Sequence, residues 1–285
     1  MQWAQKLLFV DRRIIFVLVF LGAIIPIIKP IGLGVTVSPP VEAVFDRVES
    51  MKEGDSIILS FDYGPSDGPE LHPMADAIMR HCIRKGVKVI GVSLFPLGGV
   101  EMAIARMRQL DADVEALEGR DYVNLGYKDG AQAAMKLMGD NIKVLYPSDA
   151  AGTPIDDIPL MANIRNYEDI EMVISLATSI LGEWWVNLVN AQFGVDVAIG
   201  TTAVSAPKYY AFMEAGQALG VIGGMKGASE YEELVERAYP QYEGLARTAT
   251  KGMDVQSIVH LVIIFFILFG NVMFLLVGRS KKGAK

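Results

Sequence analysis

Three carboxylates and an imidazole crowd into eleven residues of this chain. Asp62-Tyr63-Gly64-Pro65-Ser66-Asp67 is followed closely by Glu70, Leu71 and His72. Oxygen and imidazole ligands at such spacing suit a divalent metal, and an Asp/Glu/His set also suits general acid–base chemistry. Asp62, Glu70 and His72 are therefore the catalytic candidates. Asp62, Asp67 and the more distant Asp149 are the metal candidates. A purely local reading competes: Asp67 or Ser66 caps the next helix, Glu70 complements its dipole, and His72 is a polar first-turn residue. Asp149 stands with Ser148, Asp156 and Asp157 in a polar stretch, where solvated loop carboxylates are the commoner explanation.

Other chemistries lack their motifs. No G-x-G-x-x-G turn follows the first strand, and no phosphate loop or G-x-S-x-G elbow occurs. No cofactor is expected. Ser60, Ser93, Ser148 and Ser205 lie near candidate strand ends or loops, but the central region offers only His72 and His81 as a base. A single cysteine, Cys82, excludes an internal disulfide and any multi-cysteine metal centre. LSFDYGPSD resembles the TFDDGPS motif of polysaccharide deacetylases, but Tyr63 replaces their second aspartate and their paired histidines are missing. The Asp62 that ends a strand resembles haloacid-dehalogenase-like phosphatases, yet the second aspartate two positions on is Gly64. Each likeness covers fewer than ten residues, and neither family is assigned.

The elements that position these residues alternate between strand and helix. Pro-rich entry at Ser38 predicts a capped helix over 40–51, with Val41, Val44, Phe45 and Val48 on one face. Short apolar runs predict strands at 56–61, 87–95, 121–127, 171–177 and 196–204. Helical patterns lie at 69–85, 98–117, 129–138 and 181–193, and a last pattern covers 207–238. Strands apolar on both faces and separated by helices imply a parallel sheet covered on both sides. The expected fold is a Rossmann-like three-layer α/β domain with a mainly parallel sheet. Residues 139–170 are irregular, either a functional lid or partner loop or a surface excursion packed on the domain edge.

Gly216, Gly220 and Gly224 recur at four-residue intervals, with Gly223 and Gly227 repeating the spacing. On one helix they make a smooth strip for close backbone approach, to the domain's own sheet or to a neighbouring subunit; a plain loop through GVIGGMKG is the third reading. Trp184 and Trp185 point about 100° apart on a helix, so one of them is expected at an edge or interface. These five residues are the candidate oligomer contacts.

Composition places the chain. It has 285 residues, of which 52% are hydrophobic and 21% charged, with a formal charge of −7. Its mean hydropathy of +0.33 is too apolar for an ordinary soluble domain. The apolar character collects at the ends. Ser257 to Gly278 carries no formal charge with His260 neutral and spans ~33 Å as a helix, enough for a hydrocarbon core of ~30 Å. Ile14 to Ile28 is a shorter uncharged run, continuing apolar beyond Lys29 and Pro30 to Val37. It reads as an uncleaved anchor rather than a signal peptide, since no small-x-small site follows. Leu7 to Val10 is expected to lie along the inner surface. Lys6, Arg12 and Arg13 precede the first run, and Arg279, Lys281, Lys282 and Lys285 follow the second. With Asp11 these tails sum to +6, leaving 19 basic and 32 acidic residues, or −13, elsewhere. Basic flanks predict both termini in the cytoplasm and the middle outside the plasma membrane. The acidic middle disfavours nucleic acid.

The expected plan is thus three parts. Residues 1–37 form the cytoplasmic N-terminus and first transmembrane helix, and 38–254 the extracytoplasmic α/β domain. Residues 255–285 form the second transmembrane helix and basic tail. The expected function is a non-catalytic, membrane-anchored scaffold or binding subunit of an oligomeric complex. The alternative is a membrane-tethered hydrolase or transferase, with or without a divalent metal, using the Asp62/Glu70/His72 corner. Expected partners are membrane lipid, further copies of the chain or other complex members, and no nucleic acid.

Overall fold

Strands buried on both faces lie between two layers of helices, and six largely buried segments build one sheet here. They are β1 (Ser56–Asp62), β2 (Lys88–Ser93), β3 (Tyr122–Tyr127), β4 (Met172–Ala177), β5 (Asp196–Thr201) and β6 (Gly220–Gly223). All neighbours pair in parallel, in the order β3-β2-β1-β4-β5-β6. The computed structural model describes residues 11–29, 31, 32, 34–97, 99–114, 116–240 and 247–282. The inner-surface stretch Leu7–Val10, Lys285 and most of the link after Pro240 lie outside the described residues.

Alternation along β1 shows the two cores. Ile57, Leu59 and Phe61 enter one, with α2 (Pro39–Glu49), α3 (Gly68–Lys85), α4 (Gly99–Val114) and α8 (Gly224–Ala238). Ile58 enters the other, with α5 (Ala131–Leu145), α6 and α7 (Ala206–Glu214). Helix α6 starts as Leu181–Trp184, widens to a π-helix over Trp185–Asn190 and ends at Ala191–Phe193. A π segment inside a helix shifts the facing of the residues after it, and such segments gather at functional sites.

Several boundaries moved for identifiable reasons. Helix α5 runs past the expected 138 to Leu145 because a kink at Asn141 is bridged: Ile142 N–H donates to the Arg165 carbonyl at 2.7 Å. The irregular 139–170 region is a packed cover. Three short 3₁₀ turns, Ile155–Asp157, Pro159–Asn163 and Tyr167–Asp169, bury Ile155, Ile158, Leu160, Ile164 and Tyr167 in the second core. Ser38 precedes α2 but makes no capping bond; its hydroxyl and N–H both donate to Glu230. Asp67 likewise does not cap α3.

The helical pattern expected over 207–238 is interrupted by a strand. Helix α7 stops at Glu214, Gly216 turns the chain at φ +70°, and Gly220–Gly223 pairs with β5 as a sixth strand before α8 begins. Gly216, Gly220 and Gly224 therefore occupy a turn, a strand and a helix start, and do not form a helical strip. Their neighbours differ as well. A Cβ on Gly220 would sit 2.5 Å from the Pro40 carbonyl oxygen and 2.6 Å from Val44 Cγ2, so this glycine packs beneath α2.

The contacts divide the chain into two units, residues 35–249 and residues 1–34 with 250–285. The second unit holds α1 (Arg12–Ile28) and most of α9 (Thr248–Lys282). Among the described residues one helix is long and apolar enough to cross a membrane: Thr248–Leu276, with mean hydropathy 2.7 over its most apolar stretch. Helix α1 is apolar but has only 17 residues, with Pro26 inside it. Gly22 of α1 lies against Ile258 and Val262 of α9, where a Cβ would be 3.4 and 3.6 Å from their Cγ2 atoms. The buried Asp254 carboxylate accepts the N–H groups of Ile31 and Gly32, both at 2.9 Å.

Candidate functional site

In open parallel sheets the strand order reverses at one point, and ligands collect there beyond the carboxyl ends of the strands. Here that point lies between β1 and β4. Strand β1 delivers Asp62 and its following loop to it, and β4 delivers Ala177 and Thr178.

Asp62 is wholly buried and fully engaged. Its Oδ2 accepts the Ser60 hydroxyl at 2.6 Å, the Trp185 indole N–H at 2.8 Å and the Ser175 hydroxyl at 3.4 Å. Its Oδ1 accepts the Leu94 N–H at 2.8 Å. Burial pushes its carboxyl above the ordinary value, while these four donors pull the other way. One carboxyl thus ties the ends of β1, β2 and β4 to α6. The tryptophan that reaches it is one of the two expected at an interface: Trp185 is interior, and Trp184 is half-buried against the second core.

The other acids of the corner are drawn apart from Asp62. Asp67 accepts the Thr178 hydroxyl at 2.9 Å and the Gly64 N–H at 3.3 Å, spanning the switch point. Glu70 accepts the Ala203 N–H at 2.9 Å, from the loop after β5. Gly224, at φ +63°, closes over that contact, since a Cβ there would lie 2.9 Å from Glu70 Oε2 and 2.7 Å from Ala203 Cβ. His72 Nδ1 bonds the Tyr63 hydroxyl at 2.9 Å, and burial, with Arg106 nearby, lowers its basicity. Three separate partnerships replace the expected Asp62/Glu70/His72 constellation. Among the described residues no group of three or more His, Cys, Asp or Glu side chains is arranged to hold a metal. Asp149 serves its own loop, accepting the N–H groups of Ala151 and Thr153 at 3.0 and 2.7 Å.

Known proteins give no guide to this site. No family model, curated protein or solved structure matches the chain.

A second polar cluster escaped the sequence reading. His81, wholly buried near the end of α3, places Nε2 2.8 Å from Glu49 Oε1 and Nδ1 2.8 Å from the Tyr231 hydroxyl. Tyr239 donates to the same Glu49 oxygen at 2.7 Å, and Lys85 Nζ lies 3.2 Å from the other. Phe45 stacks on the imidazole at 4.5 Å between ring centres. Burial lowers the His81 pKa while Glu49 opposes the shift, and in the neutral ring an Nε2–H donated to Glu49 leaves Nδ1 to accept from Tyr231. The His81 bond, aided by Tyr239 and Lys85, holds the Glu49 carboxyl down at about 2. This cluster joins α2, α3 and α8, with His81 and Tyr231 wholly buried and Glu49, Lys85 and Tyr239 partly exposed at its rim. Its only sequence signal was a histidine with aromatic residues at unrelated positions.

Proposed function

We propose that this chain is a membrane-anchored, extracytoplasmic scaffold or binding subunit, built on a Rossmann-like domain held by two membrane segments. The observation that carries the reading is a clasp on α8. Glu230 accepts the N–H and hydroxyl of Ser38, where the chain enters the domain. Glu232 accepts the Ala249 N–H at 2.9 Å, and Glu236 pairs with Arg247, where the chain leaves it. One helix therefore grips both exits, as suits a domain attached twice to one surface. Glu230 is 1% exposed, and a buried carboxylate so used is costly unless its donors stay in place. Helix α1 is read as the second span, paired with α9 at Gly22, and the basic flanks put both termini in the cytoplasm.

The strand order matches that of doubly wound dinucleotide-binding folds. The turn after β1, Tyr63-Gly64-Pro65-Ser66, is not their glycine-rich phosphate turn, so the likeness is one of architecture. A non-catalytic role is supported by Asp62, whose two oxygens both accept from the fold's own donors, and by Asp67 and Glu70, which each commit one oxygen to such donors.

Topology is tested by labelling. Cys82 is buried, so native thiol background is low. Gln132→Cys is expected to react with an impermeant maleimide on intact cells, and Lys282→Cys only after permeabilisation. The opposite pattern would reverse the orientation.

The subunit reading requires self-association or a stable partner, and we place the contact on the rim beyond the strand ends. Leu97, Ile180 and Val204, from the loops after β2, β4 and β5, all stand exposed there, Val204 by 91%. Two anchors fix the domain's orientation and lessen the freedom lost when copies associate side by side. Val204→Asp is expected to leave the melting temperature within ~1–2 °C and to yield a smaller particle in native-like lipid. A monomeric wild type at physiological density would sink the oligomer reading.

A further inference from the structure

We propose that the crevice between α4, β3 and the loop over residues 147–154 binds a short-chain monocarboxylate. This goes beyond the anchoring reading and does not depend on it.

The site begins with an irregularity in the edge strand. Gly91 pairs with Asn124 but Val92 with Gly126, so Leu125 is an extra residue, a β-bulge. Bulges re-aim side chains and occur next to binding sites. Gly126, at φ +84°, donates its N–H to Asn124 Oδ1 at 3.0 Å. The oxygen and nitrogen of an amide diverge, so committing Oδ1 to the bulge turns Nδ2 away from it. That nitrogen is buried and has no hydrogen-bond partner, on a residue 3% exposed. An unpaired buried donor opposes folding unless something else accepts from it.

Asn124 lines a cavity of about 120 Å³. That is roughly four water volumes, room for a ligand of about four or five non-hydrogen atoms. Arg108 supplies a cation at the same cavity, and Ile104, Met107 and Ala150 supply an apolar wall. The Ala150 N–H donates to the Asn124 carbonyl at 2.9 Å, which fixes the loop beside the cavity. A carboxylate would take one oxygen to Asn124 Nδ2 and pair with the Arg108 guanidinium. Its short alkyl part would lie on the apolar wall. Glu118 also borders the cavity and disfavours a second negative charge, selecting mono- over dicarboxylates.

The test uses the full chain in nanodiscs of neutral phosphatidylcholine, titrated with propanoate and with succinate by saturation-transfer NMR. Propanoate is expected to bind saturably and at least tenfold more tightly than succinate. Arg108→Gln, on an exposed side chain, is expected to weaken propanoate at least tenfold with an unchanged melting temperature. Asn124→Asp keeps an oxygen for Gly126 but replaces the free donor with an acceptor, and should weaken it as much. No saturable binding by the wild type would overturn the proposal, leaving water alone as the occupant. Binding unchanged in Arg108→Gln, or equal affinity for succinate, would overturn it too.

Discussion

Asp62→Ala is expected to be the most damaging single side-chain truncation in the α/β domain. It removes the acceptor shared by Ser60, Leu94, Ser175 and Trp185, all within the core. The two hydroxyls can turn to other acceptors, but the Leu94 N–H and the Trp185 indole N–H cannot. Stranded buried donors cost ~1–3 kcal/mol each, and the lost side chain also leaves a void. A total of about 3–5 kcal/mol is a large share of a typical ~5–15 kcal/mol stability. At ~2–4 °C per kcal/mol for a domain of this size, the melting temperature should fall by roughly 6–20 °C. Thermal unfolding followed by near-UV circular dichroism measures it, with Trp185 as a reporter of the lost contact. Asp62→Asn should cost less, since one oxygen still accepts from Leu94. That variant also carries a pH signature. Burial raises the folded carboxyl pKa above the ordinary 3.8, so its contribution is complete below that value and is lost as pH rises through the folded pKa. Asparagine does not titrate, so this fall in stability with rising pH should be absent from the variant and appear whole in the wild-type-minus-variant difference curve. Wild-type stability in Asp62→Ala would refute the organising role and reopen the catalytic one.

Gly220→Leu is expected to unfold the β6 edge. The first atom of any side chain there would lie 2.5 Å from the Pro40 carbonyl oxygen and 2.6 Å from Val44 Cγ2. The oxygen is backbone and cannot swing aside, so α2 must lift from the sheet. Overpacking costs ~1–3 kcal/mol even where neighbours adjust. Strand β6 has four residues and pairs only with β5, so it has little to hold it once α2 moves. The expected result is poor soluble yield, or a melting temperature lower by about 5 °C or more, with Gly220→Ala intermediate. Gly216→Ala is the control: its Cβ would meet no atom within 4 Å, and it bears only the strain of the positive φ. A folded Gly220→Leu protein that ran as a smaller particle would show instead that this glycine faces a neighbouring copy.

These two residues mark where the sequence was informative and where it fell short. Asp62 stood out because it ends an apolar run, but its role depends on Trp185, 123 positions away. Gly220 stood out for its spacing, which suited a helix. Its segment, GVIG, is too short and too rich in glycine to read as a strand until β5 supplies its ladder. The His81 cluster shows the same limit, since Tyr231 lies 150 positions from the histidine it bonds.

What the sequence determined by itself follows from burial, which is a local property. Ser56–Asp62 and Met172–Ala177 are short, mainly apolar runs buried on both faces, so they belong inside a parallel sheet with helices on both sides. Ser257 to Gly278 carries no formal charge with His260 neutral and is apolar around most of its circumference, so it needs a nonpolar surrounding. Partnership is not local. The order β3-β2-β1-β4-β5-β6 decided which loops meet at the switch point. That order sent Asp67 to Thr178 and Glu70 to Ala203, rather than gathering the acids around a metal. A carboxylate's type and spacing state what it can bind. The tertiary structure decides which donor reaches it first, because a buried acceptor takes the nearest donor that the packing supplies.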